Sequence, residues 1–425
     1  MRRRQPGRRR HGRCRGLPRH QRERASGRAR RCRQHARDGL DPARRPAGRR
    51  DLGGRPRAGA GSAPGLAVLD ARAGGDVVIV RPAPLRTRPR VSVVIPCYNY
   101  GQFLPTAVGS VLDQAGLDVD VLIVDDASTD DSLDVAAALA AADDRVAVLA
   151  HERNAGHIAT YNDGLAEVRG DYVVLLSADD AVPRNALTRA VTLMENHPGV
   201  GLVYGFPENF EDHLRDVPDV VRSWSVWSGQ DWLERICRKG KNVIMSPEVV
   251  MRRAAWDEIS SYDPRLPHAA DMAIWLRTAQ RWDIGRVNGP PQAFYRVHGE
   301  NMHLTTYAGM ITDLRERSLV FDLLLGAGSA AGTADAARLH AMARRALART
   351  AVRLAVNEGI GADPDAPTDE LADFARTLWP PVQRTREWQR YSRSARTDVV
   401  RPPKVTFAGR ARTHLAWRQW RRYGT

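Results

Sequence analysis

The sequence predicts an α/β protein built on a mostly parallel sheet with helices on both faces. Three observations carry that expectation. Several short runs are near-continuously apolar and β-branched, as strands buried on both faces must be. The segments between them show apolar residues at helical spacing. Polar residues cluster immediately after each run, where an open α/β sheet presents its ligand-binding edge.

The elements follow in order. "VSVVIPCYN" (91–99) is a β-branched run closed by Pro96, and "GQFLPTAVGSVLDQ" (101–114) continues at helical spacing. "VDVLIVDD" (119–126) is the next strand, and "STDDSLDVAAALAAA" (128–142) opens with a Ser or Thr cap ahead of acidic first-turn residues. "RVAVLAH" (145–151) precedes a helix over 156–168. "DYVVLLSADD" (171–180), a helix from Pro183 to about Glu195 and "VGLVYGF" (200–206) complete the first half. Further on, "LPHAADMAIWLRTAQRW" (266–282) carries a helical stripe at Met272, Trp275, Leu276 and Ala279. Helical patterns at about 305–326 and 334–357, joined by the loop "AGSAAGTA" (327–334), predict a helical appendage over 305–383.

Charge is distributed unevenly. The chain has 425 residues and a formal net charge of +16. Residues 1–50 hold 20 Arg against Glu23, Asp38 and Asp41, and residues 384–425 form a basic tail with a net charge of +10. The stretch 51–383 therefore carries −11, so the central body is acidic. Residues 1–66 lack apolar periodicity and predict a disordered leader, of a kind a start codon assigned too far upstream would produce in a GC-rich gene. The alternative, a nucleic-acid-binding arm, lacks interleaved aromatics, which makes nucleic acid an unlikely partner. No apolar signal region and no run of 18 apolar residues occurs, which predicts a cytoplasmic protein. Cys14, Cys32, Cys97 and Cys237 show no CxxC or metal-ligand spacing, in keeping with a reducing compartment. Leu415, Trp417 and Trp420 among the tail's arginines would suit peripheral contact with an anionic inner membrane face, against the plainer reading of a solvated tail.

Right-handed crossovers place the strand C-termini along one edge. That edge collects Tyr98 and Asn99, then Asp125 and Asp126, then Asn154 and Gly156, then Asp179 and Asp180. Four carboxylates there would repel one another unless a cation sat among them, and oxygen donors select Mg or Mn. Taken singly, each Asp could instead be a turn former or helix cap.

"VVIPCYN", "LIVDDASTDDS", "NAGHIATYNDGL" and "GDYVVLLSADD", in this order and spacing, resemble the family 2 glycosyltransferases of GT-A fold. The resemblance spans about residues 90–300. It implies transfer of a sugar from a nucleotide-sugar donor with inversion at the anomeric carbon, in a domain over 88–304 with a nucleotide-sugar half (88–206) and an acceptor half (207–304). It further implies that Pro96, Tyr98, Asn99 and Asp126 hold base and ribose, with Asn154 and Gly156 also at the donor. Asp180 would bind the metal on the donor diphosphate and Asp179 would face the ribose or sugar. Family members often carry Arg where this chain has Tyr161, which opens the question of donor identity. UDP- and dTDP-sugars are the expected donors, since uracil and thymine offer Asp126 similar edges.

In the second half, "ADMAIWLR" matches the family's base motif at Asp271, Trp275, Leu276 and Arg277, while Ala270 and Ala273 replace common acids. Asp271 is thereby the implied catalytic base, against the simpler reading of a carboxylate favoured by a helix N-terminus. In "FYRVHGENMH" (294–303) the resemblance makes His298 a ligand to the metal or diphosphate, against a loop histidine satisfied by backbone. His268 is a weaker candidate for acceptor contact. The acceptor could be a lipid-linked saccharide, a growing cell-envelope polysaccharide, a glycolipid or a small natural product.

Other classes fit less well. Nucleotidyl transfer would want a Gly- and Arg-rich phosphate loop after the first strand, which "PCYNYGQ" is not, and the glycines of "GAGSAPG" (59–65) have the wrong spacing for a dinucleotide. A catalytically degenerate relative that only binds a nucleotide sugar remains the alternative suggested by Ala270 and Tyr161.

Overall fold

The computed structural model describes residues 82–299, 309–327, 334–356 and 367–394. The leader at 1–66, most of the loop at 327–334 and the tail beyond 394 lie outside the described residues.

The first half alternates strands and helices: β1 (Arg90–Cys97), α1 (Leu104–Leu112), β2 (Asp118–Asp125), α2 (Ser132–Ala142), β3 (Val146–Ala150), α3 (His157–Glu167), β4 (Tyr172–Leu175), α4 (Ala186–Asn196) and β5 (Val200–Tyr204). β6 (Pro207–Phe210), β7 (Ser223–Trp227), α5 (Gly229–Lys239), β8 (Val250–Arg252), α6 (Arg253–Ile259), α7 (Ala270–Ala279), β9 (Asp283–Asn288) and β10 (Ala293–Arg296) follow. Four more helices close the described chain: α8 (Met310–Leu325), α9 (Ala334–Ala355), α10 (Thr368–Leu378) and α11 (Arg386–Ser394).

The main sheet has eight strands in the order β3-β2-β1-β4-β8-β5-β9-β7. β1 runs parallel to β2 and β4, β2 to β3, and β5 to β9, while β8 and β7 run antiparallel to their neighbours. A second small sheet pairs β10 with β6, and Ala181 bridges to Phe294 at its margin. The sheet is thus more mixed than the apolar runs predicted. β8 has only three residues, "VMR", too few for any periodicity to register.

The pleat explains why the strands read as continuously apolar. Val94, Val124 and Val173 point into the core shared with α3, α5 and α7 to α10, while Val93, Ile95 and Val174 point into the core beneath α1 and α4. α3 approaches the sheet closely at Gly164, where a Cβ would come within 2.5 Å of Val94 Cγ1 and 2.8 Å of Val124 Cγ2.

Several element ends differ from the sequence expectation. β4 stops at Leu175, because only Tyr172–Leu175 pair with β1. Leu176 and Ala178 are apolar because they stay buried after the chain leaves the sheet. α4 starts at Ala186, after Asn185 adopts a left-handed conformation with φ 59°. α7 covers only 270–279 of the stripe at 266–282. α11 forms within the stretch expected as a tail, and Trp388 and Tyr391 pack against the large core.

Candidate active site

The site is a cavity of about 1000 Å³ along the C-terminal edge of β1, β2 and β4, closed on its far side by the chain entering α7. The cavity wall includes Pro96, Tyr98, Asn99, Asp126, Asn154, Gly156, Asp179, Asp180 and Asp271. The structure therefore gathers these sequence-selected residues around one space. His298 reaches the same place from beyond β10, its Nε2 3.0 Å from Asp179 Oδ2.

The first wall is built by turns that follow β1 and β2. Asn99 sits at φ 58°, a left-handed conformation that Asn tolerates better than most side chains. Its N–H donates to Ser128 Oγ at 3.0 Å, and its Oδ1 accepts the Thr129 N–H at 2.8 Å, so the two turns brace each other. Asp126 is buried and holds the loop after β3. Its Oδ1 accepts the Ala155 N–H at 2.7 Å and lies 2.8 Å from His151 Nδ1, while its Oδ2 accepts the Gly156 N–H at 3.0 Å. Gly156, with φ +83°, presents that amide in a conformation costly for other residues. Asn154 Oδ1 accepts the same N–H at 3.1 Å.

Asp125 departs from the expected cluster of four rim carboxylates. It is buried, and its Oδ2 accepts the Ser128 N–H at 3.1 Å as a turn former. Its other oxygen has no hydrogen-bond partner. Cys97 also lines the cavity, but burial pushes its thiol up to about 11, which keeps it protonated and unreactive.

Asp179 and Asp180 lie in the buried turn beyond β4, where the Asp180 N–H donates to the Ser177 carbonyl at 3.1 Å. Arg296, at the end of β10, fixes that turn. Its backbone N–H donates to Asp180 Oδ1 at 3.0 Å and its Nε to the Asp179 carbonyl at 2.9 Å. The guanidinium lies 4.6 Å from the Phe103 ring centre and 4.3 Å from that of Phe210. Burial, then the neighbouring Asp179 charge, raises the Asp180 carboxyl well above its ordinary value. No local motif marks Arg296, because pairing between β10 and β6 brings it to the turn.

Among the described residues no three His, Cys, Asp or Glu side chains form a ready coordination set. The donors that are present nonetheless fit a hard divalent ion. Two adjacent carboxylates at the cavity wall, one destabilised as an anion by burial and by the other, lie beside the His298 imidazole.

The same cavity is also lined by Asp271, in the first turn of α7. Asn242 Nδ2 donates to its Oδ2 at 3.0 Å and the Met272 N–H donates to its Oδ1. Burial outweighs these bonds and the nearby His268, pushing the carboxyl up to about 6. Asn242 and Ser246 come from the loop between α5 and β8, which carries no motif that sequence reasoning could isolate. Tyr161 packs edge-on against Tyr262, their ring centres 5.5 Å apart, and both rings line the cavity. Asn162 and the Tyr262 backbone exchange hydrogen bonds of 3.1 and 2.7 Å, and His157 Nε2 lies 2.9 Å from the Pro267 carbonyl. α3 is thereby tied to the segment leading into α7.

Comparison with known proteins agrees with this architecture. Residues 92–256 match the family described as Glycosyl transferase family 2. An uncharacterized glycosyltransferase of Nostoc sp. is 29% identical over 222 residues, covering 51% of this chain and 67% of that protein. The structure of Staphylococcus aureus TarS residues 1–349 in complex with UDP-GlcNAc aligns with a TM-score of 0.51 at 16% identity, over 73% of this chain and 92% of that one. The mannosyltransferase PcManGT of Pyrobaculum calidifontis, in complex with GDP-Man and Mn2+, aligns with a TM-score of 0.50 at 16% identity, over 81% of this chain and 87% of that one. Both structural likenesses concern the fold.

Proposed function

We propose, from the match of residues 92–256 to Glycosyl transferase family 2, that the chain moves a sugar from a nucleotide-sugar donor to an acceptor hydroxyl with inversion. One observation carries this reading. The Asp179–Asp180 turn and the buried Asp271 line a single cavity, with the turns after β1, β2 and β3 completing it.

In this reading the donor lies along the sheet edge, its nucleoside against Pro96, Tyr98, Asn99 and the Asp126-anchored loop. Its diphosphate lies at the Asp179–Asp180 turn. Asp180 and His298 would hold Mg or Mn, which supplies charge neutralisation for the diphosphate when bound. The aligned structures named for UDP-GlcNAc and for GDP-Man with Mn2+ are in keeping with such a donor. Asp271 takes the acceptor's proton as its oxygen bonds to the anomeric carbon. The bond from that carbon to the diphosphate oxygen breaks, and the nucleoside diphosphate departs with the electron pair. A carboxyl at about 6 is largely ionised at neutral pH yet more basic than an exposed aspartate.

Calorimetric titration with UDP, dTDP and GDP, each with and without Mn2+, tests the donor half. Uptake of one nucleotide that requires both the ion and an intact Asp180, and vanishes in Asp180→Ala, is expected. If no nucleotide binds in an ion-dependent way, the carboxylates at this turn are structural and the donor assignment falls.

A further inference from the structure

Helix α7 enters the site without a side-chain cap. Its N-cap is Ala269, which has no polar atom to offer the first turn. The segment that leads into the helix is instead braced by another element. Glu316 of α8 reaches across, and its Oε2 accepts the N–H groups of both His268 and Ala269 at 2.9 Å. One turn earlier on the same helix, Asp313 Oδ1 lies 3.5 Å from His268 Nε2. Asp313 is itself paired with Arg317. His268, Ala269, Asp313 and Arg317 border a recess of about 390 Å³ that also contains Asp180, Asn242 and Asp271. α8 is held firmly, since Leu314 and Phe321 are fully buried in the same core as Met272, Trp275 and Leu276.

We propose that α8 is a working part of the active site, with Glu316 and Asp313 as positioning residues for Asp271. Glu316 anchors the backbone two and three residues before Asp271, and Asp313 holds the His268 imidazole on the same side of the recess. The proposal rests on Asp271 being the base. A base on a short helix must meet the acceptor hydroxyl at hydrogen-bond distance, and a displacement of about 1 Å can cost about 100-fold in rate.

The charge logic has a definite sign. Asp271 faces His268, Asn242, Ser246, Tyr262 and its own Met272 amide, while His268 faces Asp313, Glu316 and Asp271. The hydrogen bond to Asp313 raises the His268 imidazole above its ordinary value, against burial, and the resulting cation lowers the Asp271 carboxyl. Removing the Asp313 charge frees His268 to lose its proton, and Asp271 then becomes harder to ionise.

The test uses the full chain and the variants Glu316→Ala, Glu316→Gln, Asp313→Asn and Asp271→Asn. Nucleotide release is followed from UDP-glucose, UDP-N-acetylglucosamine, dTDP-glucose and GDP-mannose with methyl glycosides as acceptors. Independently of turnover, the pH dependence of carbodiimide labelling at Asp271 is read by peptide mass spectrometry. Glu316→Ala should lower kcat by about 10- to 100-fold with the nucleotide Kd unchanged. Glu316→Gln, whose carbonyl oxygen can accept both amides, should recover most of that loss. Asp313→Asn should move both the acid limb of kcat/KM and the labelling midpoint to higher pH.

Wild-type kcat and an unmoved labelling midpoint in Glu316→Ala and Asp313→Asn, alongside an inactive Asp271→Asn, overturn the role of α8 and leave the base intact. An active Asp271→Asn instead removes the base reading itself. If Glu316→Ala loses its circular dichroism signal, Glu316→Gln and Asp313→Asn decide. If none of the four donors turns over, an unmoved labelling midpoint in Asp313→Asn overturns the proposal.

Discussion

At the scale of single residues, the base role proposed for Asp271 would set function against stability. Its carboxyl stands at about 6 in the folded protein against an ordinary value of 3.8, because burial disfavours the anion. The folded chain therefore binds more protons than the unfolded chain between about pH 4 and 6, and this group's contribution to stability falls as pH rises through that window. Above it the ionised carboxylate is a net cost on the order of 2 kcal/mol. Asp271→Asn should thus melt at a higher temperature than wild type at pH 8, with the gain vanishing near pH 4, while transfer is lost. A melting series across pH checks the first point. Equal melting temperatures at pH 8 would show that Asn242 and Ser246 fully offset the burial of the charge. In the wild type, kcat/KM should fall as pH drops through about 6, where Asp271, the proposed base, becomes protonated.

At the scale of elements, the sheet was legible because its strands are buried on both faces, so that Val93 to Ile95 and Val121 to Val124 read as unbroken apolar runs. The same signal overran β4, since Leu176 and Ala178 remain buried in the turn that carries Asp179 and Asp180. The residues facing the first wall could be read from local motifs following strands. Asn242, Arg296 and Glu316 could not, because each reaches the site through a contact between elements far apart in sequence. Arg296 gives the element-scale prediction. It ties β10 to the Asp179–Asp180 turn with one backbone and one side-chain bond and lies over two aromatic rings. Lys offers neither the planar fork nor the same stacking surface. Arg296→Lys should cost about 1 to 3 kcal/mol, measured by urea denaturation, and weaken nucleotide binding more than Asp271→Asn does. A variant that loses stability without losing nucleotide affinity would separate the small sheet from the donor site.

At the scale of the whole molecule, the overall charge of +16 conceals an acidic middle. Residues 51–383 carry −11, and the site at their centre displays Asp126, Asp179, Asp180 and Asp271 on its walls. In the proposed reading the phosphates of a nucleotide diphosphate would lie among these carboxylates, which would favour a divalent ion as their companion. No helix among the described residues is long and apolar enough to cross a membrane. Attraction to polyanions is expected from the two basic ends, which hold the excess of arginine, and the two properties should be separable. Trimming residues 1–66 is expected to leave the nucleotide Kd and its ion requirement unchanged, because every residue at the cavity lies beyond that stretch. The same trimming should sharply weaken retention on heparin or DNA, and the retention of the full chain should fall steeply with salt as counterion release requires. Loss of nucleotide binding on trimming, with circular dichroism unchanged, would place the arginine-rich arm at the donor site and overturn the division between an acidic catalytic body and basic ends.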